Sequence, residues 1–129
     1  MSEEKYSVII GSGCYIPEKI VKNSDFLNHV FYETNGEKIE KPGSEITEKF
    51  EEITGIKERR YATDDLLTSD IAFFAAEQAI QSAGIDMESL DYIICAHNFG
   101  DVRPGNRRSD FVPTIAARVK NKLRIKNPK

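Results

Sequence analysis

Two short apolar strands constrain this chain more than any other feature of its sequence. Ser7-Val8-Ile9-Ile10-Gly11-Ser12-Gly13 reads as a buried strand leaving into a glycine turn. Asp91-Tyr92-Ile93-Ile94-Cys95-Ala96 reads as a second, mostly apolar, as expected when both faces are covered. A strand buried on both sides needs neighbours, and natural sheets usually have more than two strands. With helices between and after the two, the pattern predicts an α/β layered fold that is unfinished within these 129 residues.

The segments between the strands follow helical spacing. Asn23 or Ser24 is positioned to cap a short helix over Asp25 to Phe31, with Phe26, Leu27 and Val30 as its apolar face. Glu33 to Ser44 is polar, carries two glycines and a proline, and reads as a surface loop. Ser44 is positioned to cap a second helix, with Ile46, Phe50 and Ile53 on one face and Gly55 as its stop. Ile56 to Tyr61 is expected to be extended. The clearest helix is capped at Thr68 or Ser69, runs its stripe through Ile71, Phe74, Ala75, Ala79 and Ala83, and stops at Gly84. His97 to Ser109 reads as a loop. Asp110 is expected to cap a last helix with Pro113 in its first turn and Ile115, Val119 and Leu123 inward. Ile125 to Lys129 looks like a lead-in to a further strand.

Composition narrows the class of protein rather than its task. At 40% hydrophobic and 30% charged, the chain has ordinary globular composition and the length of one domain, taken as 1–129. No apolar run approaches the ~18–20 residues that span a bilayer, and Met1-Ser2-Glu3-Glu4-Lys5 is not the start of a signal peptide. Cys14 and Cys95 stand far apart, against both a zinc site and a disulfide framework, so a reducing cytoplasm is the expected setting. Nothing calls for a metal, a cofactor, nucleic acid or a membrane. From Asp101 to Lys129 nine Lys/Arg face two Asp, a net +7, whereas the first hundred residues carry −10. Such asymmetry can mark a surface for an acidic partner, but these cations are scattered along a helix and a tail, and a solvated face is favoured.

The residues of chemical interest form no catalytic constellation. Gly11-Ser12-Gly13 begins like a dinucleotide fingerprint, but Ile16-Pro17 stands where the third glycine and helix start belong, which favours a sharp structural turn. Cys95 and His97 lie two apart on one strand face, whereas a nucleophile and its base normally come from separate elements. Core packing is favoured for Cys95 and for Cys14, and His97 is a candidate only because α/β sites gather at strand ends. Asn98, Asp101, Arg103, Asn106, Arg107 and Arg108 lie on a loop of the kind that often faces a ligand, with solvation the simpler account. Lys57-Glu58-Arg59-Arg60 fits one exposed strand face as well as a phosphate contact.

Three stretches, in order, carry a family resemblance. Ile10-Gly11-Ser12-Gly13-Cys14-Tyr15-Ile16-Pro17-Glu18 resembles the opening strand and G-x-G-x-Y-x-P-E turn of β-ketoacyl-acyl carrier protein synthase III enzymes. Ile53-Thr54-Gly55-Ile56-Lys57-Glu58-Arg59 is similar to their TGIxxR segment. Thr68 through Gly84-Ile85 to Leu90–Ala96 follows their next helix, glycine and apolar strand, and Pro113 to Val119 resembles the helix before their nucleophile strand. The resemblance implies the N-terminal part of a thiolase-like layered fold, whose subunits pair. It also implies a decarboxylating condensation of an acyl thioester with malonyl-acyl carrier protein through a cysteine, with a His and an Asn stabilising the thioester oxygen. By the family's order that cysteine comes shortly after Lys129, so the resemblance transfers no catalytic role to any residue here, and the chain alone is expected to be inactive.

One departure concerns the acyl donor. Where the family carries a Trp and an Arg against the coenzyme A adenine, this chain has Lys49 and Ile53. That opens the possibility of a carrier-protein-bound or unusual acyl donor. Arg59 matches the last Arg of TGIxxR, with a structural role favoured over one at the tunnel mouth. The rival reading is a stand-alone module that holds an acidic carrier protein on its basic C-terminal face. An incomplete sheet also predicts that the chain self-associates.

Overall fold

The computed structural model describes residues 6–110 and 112–128, and all their side chains except those of Arg107 and Ser109. The chain forms two compact units, one of Pro17–Thr63 and the other of the residues up to Ile16 and from Asp64 onward. Among the described residues no helix is long and apolar enough to cross a membrane.

The Pro17–Thr63 unit pairs β1 (Lys19–Lys22) antiparallel with β2 (Glu58–Tyr61), setting Val21 opposite Arg59. The extended stretch expected over Ile56 to Tyr61 thus holds β2, whereas β1 escapes the pattern because only Val21 of its four residues is buried. Strand β1 feeds a single 3₁₀ turn, Asn23–Phe26, in place of the helix expected to run to Phe31. The Asp25 carboxylate accepts the Lys22 backbone N–H at 2.8 Å, which closes a tight turn at the point where a helix would have begun. The expected polar loop folds back on itself through a bridge between Tyr32 and Lys38. Helix α1 (Gly43–Thr54) begins after Pro42 without a side-chain cap at Ser44, and ends as expected at Gly55, whose φ of 68° suits glycine. Ile46 is buried on α1, whereas Ile53, expected on the same face, is exposed.

The second unit is organised by α2 (Thr68–Ala83), which ends at Gly84 with φ 64°. The helix is covered on two sides. Ala72, Phe73, Ala76 and Ile80 pack against Ile115, Val119, Leu123 and Ile125, the buried cluster on and after α3 (Ile115–Lys122). The inward set predicted for the last helix is therefore correct. Its cap is Thr114, whose hydroxyl accepts the Ala117 N–H at 3.2 Å, and not Asp110, which ends a strand. The small residues Ala75, Ala79 and Ala83 face the segment around Gly11 and Gly13 instead. A Cβ at Gly13 would lie 2.4 Å from the Ala75 carbonyl oxygen, and one at Gly11 would lie 2.6 Å from that of Ala79.

These glycines are therefore required by close approach of two backbones and not by a turn alone. Gly13→Ala is expected to cost on the order of 1–3 kcal/mol, because backbone on both sides must shift. A urea midpoint unchanged from wild type would show that this segment does not seat on α2.

The two strands expected from the sequence have no ladder partner among the described residues, so Ser7–Gly13 and Asp91–Ala96 stay outside regular structure. Alternation nonetheless persists in the second. Ile93 and Cys95 pack toward the cluster, while Tyr92 and Ile94 are exposed. The loop expected over His97 to Ser109 contains a hairpin, β3 (Asp101–Arg103) with β4 (Asn106–Asp110), closed by Gly105 at φ 78°. Among the described residues, four short strands in two separate pairs and three α-helices make a mixed set of helices and strands.

Candidate functional site

The most connected polar centre of the second unit is built on Asp101, 1% exposed at the start of β3. Its Oδ1 accepts the Ser69 backbone N–H at 2.8 Å, and its Oδ2 accepts the Ser69 hydroxyl at 2.8 Å. The first N–H groups of a helix have no intrahelical acceptor, so Asp101 caps α2 from a distant part of the chain and sets a negative charge at its N-terminus. Arg118 of α3 completes the centre, donating from Nη1 to Asp101 Oδ2 at 2.9 Å and from Nε to the Pro113 carbonyl at 2.9 Å. Beside it, Lys122 meets Asp70 at 2.6 Å. Burial opposes ionisation of Asp70, but the Lys122 ammonium and the Leu67 N–H outweigh it and hold the carboxyl below its usual range. Every contact of Asp101 is internal, and the arrangement is that of a clasp between α2, β3 and α3.

Two cations of the basic C-terminal stretch belong to this polar centre and its neighbour, while most of its described cations are exposed. Arg118 and Lys122 are taken up by ion pairs within the unit, and Lys120 donates to the Asn127 carbonyl. Arg103 lies 3.9 Å from Asp110, and Arg108, Arg124 and Lys126 are exposed. The Arg107 side chain lies outside the described residues, as does Lys129. A second clasp holds the tail, where the Glu88 carboxylate accepts the backbone N–H groups of Lys126 and Asn127, the latter at 2.8 Å. Those donors hold the Glu88 carboxyl below its usual range. The Asn127 amide donates in turn to the Glu88 and Leu90 carbonyls, setting the tail beside the entry to Asp91–Ala96.

In the other unit Asn23 is the fixed point. Its Nδ2 donates to the Ile56 carbonyl at 2.9 Å and to Glu51 Oε2 at 3.0 Å, and its N–H donates to the Lys57 carbonyl. Its Oδ1 accepts from Arg59 Nη1 at 3.0 Å, while the guanidinium lies over the Phe26 ring, 5.1 Å from the centroid. Of the charged cluster Lys57 to Arg60, Arg59 alone is half-buried, and the other three are exposed. In the sequence Asn23 is one of two candidate helix caps, with Ser24. Its actual partners lie 28 to 36 residues away, a separation that local pattern cannot register.

The remaining candidates are not brought together. Cys95 is half-buried, and burial pushes its thiol pKa up, away from the thiolate a nucleophile needs. His97, Asn98 and Asn106 are exposed, as is Cys14. Lys49 and Ile53 are exposed on α1, and Lys49 is held by Glu52 at 2.7 Å. Among the described residues no three His, Cys, Asp or Glu side chains are grouped to hold a metal ion.

No family model matches the chain. Compared with individual proteins, it is similar to synthases of the β-ketoacyl-acyl carrier protein class, the class that its ordered motifs resemble. It is 37% identical over 121 residues, 94% of its length, to beta-ketoacyl-acyl-carrier-protein synthase III 1 of Vibrio parahaemolyticus, and 38% identical over 121 residues to the protein of that name in Vibrio cholerae. It is 38% identical over 117 residues, 91% of its length, to beta-ketoacyl-acyl-carrier-protein synthase III of Staphylococcus saprophyticus. The chain spans about a third of the length of these curated relatives, 31–32%.

Proposed function

We propose that this chain is the N-terminal part of a synthase III-like condensing enzyme with a thiolase-like layered fold. The whole protein joins an acyl thioester to malonyl-acyl carrier protein with loss of carbon dioxide, in fatty-acid or related synthesis in the cytoplasm, and works as a homo-oligomer. The observation that carries this reading is similarity running through 91–94% of the chain at 37–38% identity, in the motif order of one family. In this reading the 129 residues hold the frame and not the reacting groups, and the half-buried Cys95, whose thiol pKa burial raises, supports it. Lys49 and Ile53 offer neither an aromatic face nor a guanidinium for adenine, which favours a donor carried on acyl carrier protein over coenzyme A. The stand-alone carrier-binding reading loses support because Arg118 and Lys122 are spent inside the unit.

Labelled acyl thioesters test the proposal. The 129-residue chain is expected to take no stoichiometric label from acyl-coenzyme A or acyl-carrier protein. A polypeptide of the relatives' full length is expected to take one label on a cysteine outside these residues and then to consume malonyl-carrier protein. A thioester on Cys95, or a full-length protein that never condenses, would overturn it.

A further inference from the structure

The Pro17–Thr63 unit contains a cleft of about 170 Å³ that the condensing reading does not use. The rings of Phe26, Phe31, Phe50 and Tyr61 line it, and Asn23 and Arg59 form its polar wall. Phe31 and Phe50 meet edge to face with centroids 5.8 Å apart, so the walls offer both ring faces and ring edges. Apolar cavities of about 150 Å³ accept benzene, which makes this cleft the size of one six-membered ring.

The charge at its wall selects among ring compounds. Arg59 is half-buried and forms no ion pair among the described residues. One of its five N–H donors is spent on Asn23, which is itself locked to Ile56 and Glu51. The nearest acid of that network, Glu51, is engaged by Asn23 and lies 4.0 Å from Lys57. The guanidinium is thus held in place by Phe26 and Asn23 with donors to spare, the state in which a carboxylate gains most from it.

We propose that this cleft binds a small aromatic carboxylate, its ring among the four aromatic side chains and its carboxylate on Arg59. The site stands apart from the condensing reading, and either can fail without the other. The test is an NMR titration of the 129-residue chain with benzoate, and with benzyl alcohol as a neutral analogue of similar shape. Benzoate is expected to shift the ring resonances of Phe26, Phe31, Phe50 and Tyr61 saturably, with a Kd of roughly millimolar order. Benzyl alcohol is expected to bind ~10-fold more weakly or worse, as loss of a charge-assisted hydrogen bond requires. Arg59→Gln with its amide spectrum otherwise preserved is expected to lose that preference. If the variant does not fold, the two ligands still decide the matter in the wild-type chain. Equal affinities, shifts confined to other residues or no saturation would each overturn the proposal, as would a folded Arg59→Gln that still prefers benzoate.

Discussion

In sedimentation equilibrium the 129-residue chain is expected to run above its monomer mass of 14.6 kDa, with the average mass rising as concentration increases. The reason lies in the two segments that have no ladder partner among the described residues. Val8, Ile9 and Ile10 are 77%, 90% and 64% exposed, and Tyr92 and Ile94 are 86% and 91% exposed. Covering five such side chains is worth ~1.5–3 kcal/mol each, on the order of 10 kcal/mol in total. Association costs about 4–15 kcal/mol, so the side chains alone come close to balance. Backbone hydrogen bonds along a newly paired strand contribute about 1 kcal/mol each and tip it toward association. Dissociation constants of roughly 1–100 μM are expected. Ile9→Lys and Ile94→Lys together remove apolar surface that the monomer leaves in water, so they should restore a monomer without lowering stability. A clean 14.6 kDa species from the unmodified chain at several hundred micromolar (a range about ten times those constants) would refute the expectation.

Asp101→Ala is expected to produce the largest loss of stability of any single substitution considered. Removing one partner of a buried, hydrogen-bonded ion pair costs about 3–5 kcal/mol, because the other charge is left without compensation. Here the change leaves the Arg118 guanidinium, 16% exposed, with Asp110 at 3.6 Å as its remaining counter-charge among the described residues, and leaves the Ser69 N–H and hydroxyl without that acceptor. At ~4–8 °C per kcal/mol for a small domain, the melting temperature should fall by more than about 10 °C. The double variant Asp101→Leu with Arg118→Met should recover much of that loss, since a buried pair is often replaced by apolar groups at little net cost. A single variant within ~0.5 kcal/mol of wild type in urea would mean that Asp101 behaves as a surface residue.

How much was legible in the sequence depended on the range of the forces involved. The stops of α1 and α2 at Gly55 and Gly84 are local events, set by the left-handed conformation that glycine adopts at low cost, and they fell where the pattern placed them. The same holds for Ile115, Val119 and Leu123, whose spacing alone puts them on one face of α3. Start points were read less well. Asp110 and Ser44 have the chemistry of caps, but Asp110 was drawn into a hairpin and α1 began two residues earlier, with Pro42 in the cap position. Asp101 looked like one polar loop residue among several. Its burial depends on Ser69, 32 residues earlier, and on Arg118, 17 later.

The two apolar runs with which the sequence reading began show the division most clearly. Their composition marked them as in need of cover, and in the second run Ile93 and Cys95 turn inward while Tyr92 and Ile94 do not. Whether they become strands was never theirs to decide, because a β-ladder is made between segments and each supplies only half of its hydrogen bonds. Tertiary structure alone decided that Gly11 and Gly13 lie against the backbone of α2, that Arg118 and Lys122 of the basic stretch are ion-paired within their unit, and that Arg59 sits beside a ring-sized cleft. Each depends on where distant residues come to rest, which the spacing of side chains along one segment does not encode.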